Sequence, residues 1–273
     1  MSAIAVRGLW KAYGDRSVLE RIDLDVASGE FCTLVGASGC GKTTFLRLLL
    51  SQERPTRGDI LLEDKPLPPE PEPGRGVVFQ RYSVFPHLTV LENVILGLEL
   101  RQSPWFGRLF GAARRKALEE GERWLASVGL TSSRNAYPAS LSGGMQQRLA
   151  IAQALILHPK VLLLDEPFGA LDPGIRADMH VLIRDLWRRT GMTVFMVTHD
   201  IREAFALGTR VLAFDRVRHD PHAPDAYGAT ITYDLPGRGE GAEDGTLIPV
   251  HFPWKAARPR SEEARNADHV SSA

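Results

Sequence analysis

The sequence predicts an α/β protein: a parallel sheet core, an N-terminal antiparallel β subdomain and an inserted α-helical subdomain. Short apolar runs at FCTLVG (31–36), RGVVFQ (75–80), VLLLDEP (161–167), MTVFMVTHD (192–200) and RVLAFD (210–215) read as strands buried within a sheet. Helical-period segments alternate with them in the later half, the order that builds a parallel sheet. Between about residues 86 and 157 the period stays helical with no intervening strand, which marks an insertion.

Each element has its own signal. IAVRGLWKAYG (4–14) and SVLERIDLDV (17–26) alternate apolar and polar residues, as an antiparallel hairpin does. DILLEDKPL (59–67) predicts a further short strand pair, and PLPPEPEPG (66–74) a stiff surface loop. LTVLENVILGLEL (88–100), ARRKALEEGERWLASVGL (113–130) and LSGGMQQRLAIAQALILHP (141–159) carry the helices of the insertion. DPGIRADMHVLIRDLWRRTG (172–191) is an amphipathic helix opened by Asp172 as cap and Pro173 in the first turn. IREAFALG (201–208) is a short helix, and GATITYDL (228–235) the last strand. Residues 1–236 therefore form one domain. Residues 237–273 have the Gly-, Glu-, Arg- and Ser-rich composition of a mostly disordered tail, with VHFPW (250–254) as a docking segment within it.

Composition narrows the function classes. Of 273 residues, 44% are hydrophobic and 24% charged, and 33 Lys+Arg balance 33 Asp+Glu. A net charge of zero gives no bulk attraction to nucleic acid. Cys32 and Cys40 are too few for a disulfide framework, and a reducing compartment fits. No signal peptide and no run long enough to span a bilayer is visible, so any work at a membrane goes through a partner.

The chemistry lies in two places. GASGCGKTT (36–44) fits G-x-x-x-x-G-K-[ST] from Gly36 to Thr43, directly after an apolar strand and before a helical run. Such a turn aims backbone N–H groups and the positive helix end at one point, which suits a polyphosphate. Gly36, Ala37, Ser38, Gly39, Cys40 and Gly41 form the cradle. Lys42 reaches the β- and γ-phosphates, Thr43 ligates Mg²⁺, and Thr44 is a further phosphate contact. VLLLD then puts Asp165 at a strand end, where an open α/β sheet binds ligands. A carboxylate there needs a cation, so Asp165 is the second Mg²⁺ candidate. Its neighbour Glu166 suits a general base or a residue orienting the attacking water.

With GASGCGKTT, LSGGMQQR (141–148) and VLLLDEP (161–167) in this order, the chain resembles the ATP-binding subunits of ABC transporters over roughly residues 4–215. The resemblance implies a P-loop (RecA-like) core binding ATP with Mg²⁺. It assigns Gln80 to a loop that touches Mg²⁺ and faces a membrane subunit, and His199 to a contact with the γ-phosphate. Tyr13 stacks on adenine, and Asp172 falls in the loop after the acidic strand. Ser142, Gly143 and Gly144 belong to a signature that closes over the nucleotide of a second ATP-binding subunit, in a homodimer or a heterodimer. Two glycines after a serine do leave bare N–H groups at a helix start.

FPHLTVLENV (85–94) and EPFGALD (166–172) resemble importer subunits, nearest to the nitrate/sulfonate/taurine group. RLFGAARR and VRHDPHAPDAYGATITYDLPG resemble members associated with urea- or guanidine-type carboxylase systems. The partners implied are an integral permease and, indirectly, an external solute-binding protein, with the chain peripheral on the cytoplasmic face of the inner membrane. The rival reading is an ABC ATPase outside transport, of the DNA-repair or translation type. Those usually carry a coiled-coil insertion or two nucleotide domains. Two local features stay outside this scheme. RQSPWFGRLFGAARRK (101–116) interleaves Arg with Trp105, Phe106, Leu109 and Phe110, and reads as a loop with packed aromatics in preference to a lipid-facing patch. Cys40 reads as a small filler in preference to a redox sensor.

Overall fold

Alternation inside the apolar strands dictates how the layers stack. In VLLLD, Val161 and Leu163 enter one core while Leu162 and Leu164 enter the other. In TVFMV, Val194 and Met196 face the second core, and Phe195 and Val197 the first. A strand apolar on both faces must be sandwiched, and this one is. The computed structural model describes residues 2–79, 84–103, 107–218, 220–223 and 225–237.

Ten strands and six α-helices follow in the described chain: β1 Ser2–Tyr13, β2 Arg16–Ala27, β3 Phe31–Gly36, α1 Lys42–Leu49, β4 Arg57–Leu62, β5 Lys65–Pro66, β6 Arg75–Val78, α2 Val90–Gln102, α3 Gly111–Ser127, α4 Gly143–Leu155, β7 Val161–Asp165, α5 Pro173–Thr190, β8 Thr193–Val197, α6 Ile201–Leu207, β9 Arg210–Asp215 and β10 Thr230–Pro236. The first sheet has order β2-β1-β4-β5 and is antiparallel. The second has order β10-β9-β3-β8-β7-β6, parallel except at β10. The expected strands are all present. β6, expected as a buried strand, lies at the edge of its sheet and is covered by the helical insertion through Val78.

Between the sheets lies α1. Its Phe45 meets Phe195 edge-on at 6.4 Å and Phe214 at 5.5 Å, geometry worth about 1 kcal/mol per pair beyond burial. On the opposite face, α2, α3 and α4 pack with α5 around Val94, Leu125, Leu149 and Ile183. Helix ends follow their sequence signals. Thr89 and Glu92 form a reciprocal capping box on α2, and Gly191 in the left-handed region closes α5. Asp172 occupies the N-cap of α5 as expected, but its side chain makes no capping bond; Pro173 needs no donor there.

This topology puts the C-terminal ends of β3, β8 and β7 side by side. Those ends carry the glycine loop, His199 and the Asp165–Glu166 pair. The expectations for residues 238–273, including VHFPW, fall outside the described residues, as do Gln80, Trp105 and Phe106.

Candidate nucleotide site

The loop from β3 to α1 is shaped by what cannot fit. A Cβ on Gly36 would stand 2.2 Å from the Phe214 carbonyl oxygen, and one on Gly41 2.6 Å from Leu19 Cδ2. Both residues have positive φ, 147° and 92°. Gly41 is the N-cap of α1, so the helix starts with bare N–H groups facing the loop.

Lys42 is buried and has no carboxylate within 4 Å among the described residues. Its Nζ donates to the carbonyls of Gly36 and Ala37, each at 2.9 Å, and lies 3.6 Å from Cys40 Sγ. The ammonium is thus held inside its own loop by neutral acceptors, where a phosphate is the stronger partner. Cys40 is buried behind the loop, and that burial raises its thiol pKa against the opposing pull of Lys42. This agrees with a filler role.

Thr43 Oγ1 donates to Asp165 Oδ1 at 3.2 Å. Burial raises the Asp165 pKa; the Thr43 bond opposes this and the Glu166 charge adds to it. Lys42 and Arg47 also act on this carboxylate, without outweighing its burial. A hydroxyl beside a partly buried carboxylate is a hard-oxygen pair, and it fits Mg²⁺, which takes few protein ligands and fills the rest with phosphate and water. No group of three or more His, Cys, Asp or Glu forms a metal cage among the described residues.

Glu166 adopts φ 47°, unusual for a residue with a side chain, and its N–H bonds to the Val197 carbonyl at 3.0 Å. His199 Nδ1 stands 3.8 Å from Glu166 Oε2 and is largely exposed. Behind it lies a connection that the sequence did not reveal. Buried Glu203 accepts from Thr198 Oγ1 and shares a 2.6 Å hydrogen bond with His180, whose ring packs edge-on against Phe168 at 5.3 Å. The turn carrying His199 is thereby tied to α5 and to the segment following Glu166.

A cavity of about 500 Å³ brings Tyr13, Ser38, Gly39, Gly41, Lys42, Thr43, Thr44 and Glu166 together. Arg16, Val18, Arg47 and Glu53 also line it and carry no motif by which sequence could find them. Tyr13 is held at the rim: its hydroxyl bonds Glu53, and Lys11 Nζ sits 4.7 Å from its ring centroid. Glu53 also pairs with Lys11 at 3.1 Å and Arg47 at 3.5 Å. Although burial works to raise it, its pKa falls below the usual carboxylate value because Tyr13, Lys11 and Arg47 favour the charged form.

Ser142, Gly143 and Gly144 do not line this cavity. Ser142 caps α4 by accepting from Met145 N at 3.3 Å, and both Ser142 and Gly143 are exposed. Gly144 is buried, and a Cβ there would meet Ile175 of α5 at 2.5 Å. Gly36, Ala37 and Cys40 shape the loop without lining the cavity.

Residues 19–169 match the family model described as ABC transporter. The chain is 45% identical to the aliphatic sulfonates import ATP-binding protein of Pseudomonas savastanoi pv. phaseolicola, over 92% of this chain and 93% of that one. It is 40% identical to the spermidine/putrescine import ATP-binding protein of Bacillus thuringiensis, over 78% of this chain and 63% of that one. Among solved structures, the ATP-binding cassette MJ0796, a dimer in a post-hydrolysis state bound to ADP and Pi, superposes with TM-score 0.67 and 28% identity, over 85% of this chain and 98% of that one. By its glycine loop, its acidic strand end and these matches along most of its length, the chain belongs to the ABC transporter family and is an ATPase cassette of it.

Proposed function

We propose that this ATPase powers import of a small sulfur-containing solute of the sulfonate class through a membrane permease. The observation that carries the solute class is coverage. The match to the sulfonate subunit runs over 93% of that protein, whereas the match to the polyamine subunit reaches only 63% of its length. No helix among the described residues is long and apolar enough to cross a membrane. The cassette sits peripherally on the cytoplasmic face of the inner membrane, fed indirectly by an external solute-binding protein. Residues 1–236 are its ATP-binding domain, and residues 237–273 a tail.

The roles rest on the family resemblance, and the geometry around the glycine loop and the acidic strand end supports them. Lys42 exchanges its two loop carbonyls for β- and γ-phosphate oxygens, and the N–H groups at the start of α1 cradle them. Thr43 and Asp165, with Gln80, would hold the Mg²⁺ whose charge offsets that of the phosphates. Glu166 takes the proton of the attacking water, and His199, within reach of Glu166, contacts the γ-phosphate. Tyr13 stacks on the adenine. Ser142, Gly143 and Gly144, exposed or packed away from the chain's own cavity, serve the nucleotide of a second cassette. Two cassettes then sandwich two ATP molecules, and hydrolysis releases them.

Coupling to the permease is assigned to the turn at Phe85–Leu88. Phe85 is exposed, yet its backbone is clamped: fully buried Asn93 accepts from Phe85 N at 2.7 Å and donates to the carbonyls of Phe85, Leu88 and Thr89, each at 3.0 Å. A rigid turn presenting an apolar side chain suits a permease helix docking in a groove. The test replaces Phe85 or Leu88 with Asp and measures basal ATPase, co-purification with the permease, and growth on an aliphatic sulfonate as sulfur source. Basal ATPase stays near wild type, while permease recovery and growth fall. Normal growth of the variants, or of a strain lacking this chain, overturns the reading.

A further inference from the structure

His199 is placed by the turn it sits on. Its side chain is 64% exposed, and Glu166 stands 3.8 Å away across the gap. The turn is fixed on both sides. Before His199, buried Thr198 bonds through its N–H to the Leu34 carbonyl at 3.1 Å, and its Oγ1 accepts from Asp200 N at 3.1 Å. After it, Asp200 caps α6 by accepting from Arg202 N at 2.8 Å and Glu203 N at 3.3 Å.

Glu203 ties this turn to the rest of the domain. It is buried in the first turn of α6, and one carboxylate oxygen accepts from Thr198 Oγ1. The other accepts from His180 Nε2 at 2.6 Å. A buried carboxylate needs both bonds, because an oxygen left without a donor keeps its full desolvation penalty. His180 packs its ring edge-on against Phe168, with centroids 5.3 Å apart. Phe168 is itself buried, two residues after Glu166. One histidine on α5 therefore holds the segment following Glu166 with its ring, and the turn carrying His199 with its Nε2, through Glu203 and Thr198. Neither His180 nor Glu203 lines the nucleotide cavity.

We propose that His180 and Glu203 are positioning residues for hydrolysis, setting where His199 stands relative to Glu166. The proposal rests on the roles given above to those two residues. Without the Nε2 donor, Glu203 is free to turn, Thr198 loses its fixed acceptor, and His199 ranges more widely. A reacting group misplaced by about 1 Å costs about 100-fold in rate, so a loosened turn costs about tenfold.

The test is steady-state ATPase of the full chain with MgATP, beside binding of a fluorescent ATP analogue and thermal melting. His180→Phe keeps a ring against Phe168 and removes the donor. Its kcat falls about tenfold while KM and the nucleotide Kd stay within about twofold, since His180 lies outside the cavity. His180→Gln places an amide donor where Nε2 stood and recovers most of the rate. Thr198→Val cuts the chain one link later and gives about the same loss as His180→Phe, so the test survives if one of them melts below the assay temperature. Made in a His199→Ala background, His180→Phe lowers kcat no further. Wild-type kcat in both His180→Phe and Thr198→Val, an equal loss in the two backgrounds, or no recovery with glutamine overturns the proposal and leaves Glu166 and His199 their roles. If His199→Ala alone turns over at the wild-type rate, the role given to His199 fails, and the proposal falls with it.

Discussion

Lys42→Ala separates the two demands made on this lysine. In the structure its Nζ makes two hydrogen bonds, each 2.9 Å, to the carbonyls of Gly36 and Ala37. Charge-assisted bonds are worth about 1.5–3 kcal/mol each, so their loss alone would cost about 3–6 kcal/mol. Burying an ammonium with no carboxylate to pair it costs several kcal/mol in the other direction. The two nearly cancel, leaving about 2 kcal/mol of either sign. At about 2–4 °C per kcal/mol for a chain of this size, the nucleotide-free melting temperature moves by less than about 8 °C. Catalysis has no such offset. Removing one charge aimed at the phosphoryl group costs about 3–4 kcal/mol of transition-state stabilisation, a fall of about 10²–10³ in turnover. The assay is phosphate release beside thermal melting with and without MgATP. Wild type gains about 2.7 kcal/mol at a hundredfold excess of ATP over its Kd, and the variant gains little. Turnover within tenfold of wild type, or an ATP-induced rise in melting temperature equal to wild type's, would refute the reasoning.

Gly36→Ala places a Cβ 2.2 Å from the Phe214 carbonyl oxygen at a φ of 147°. It should lower stability by about 3 kcal/mol or more in urea denaturation and distort the loop; an unchanged midpoint would contradict the packing described. The Asp165 pKa is raised by burial, so the native state binds a proton more readily there than the unfolded chain does. At neutral pH this is a penalty, relieved as pH falls through the raised value toward the ordinary one. Asp165→Asn should therefore leave the nucleotide-free chain at least as stable as wild type at pH 7. The advantage should shrink in acid, and ATPase should be lost; a clear loss of stability at pH 7 would count against the carboxylate being held for a cation.

The parallel core was legible because its signals are local. A strand buried on both faces is a short apolar run, and the phosphate turn is fixed by glycines at a set spacing. Asp165 and Glu166 stood out because a carboxylate pair ends an otherwise apolar strand. What was hidden depends on contacts across sequence. Arg16, Arg47 and Glu53 reach the cavity from separate elements, and nothing in their immediate neighbours marks them. The pairing of Glu203 with Thr198 and His180 joins residues up to 23 apart through a buried hydrogen bond. Phe110 is exposed beside buried Leu109, against the expectation of packed aromatics, and the contact that fixes this, Leu109 N donating to Glu99 Oε1 at 3.3 Å, also spans separate elements. Lys42 turned onto its own loop is a geometry that the motif, which encodes the bound arrangement, does not contain.

The central claim is that the chain works as an ATP-bound pair in which Glu166 performs the chemistry. Glu166→Gln keeps the size and hydrogen bonding of the side chain and removes the base. Light scattering of this variant, with and without MgATP, measures the claim directly. The account predicts a monomer without nucleotide, a dimer of two cassettes with MgATP, and turnover lowered about 10²–10⁴-fold. A variant that stays monomeric in saturating MgATP, or that hydrolyses ATP at the wild-type rate, would contradict it.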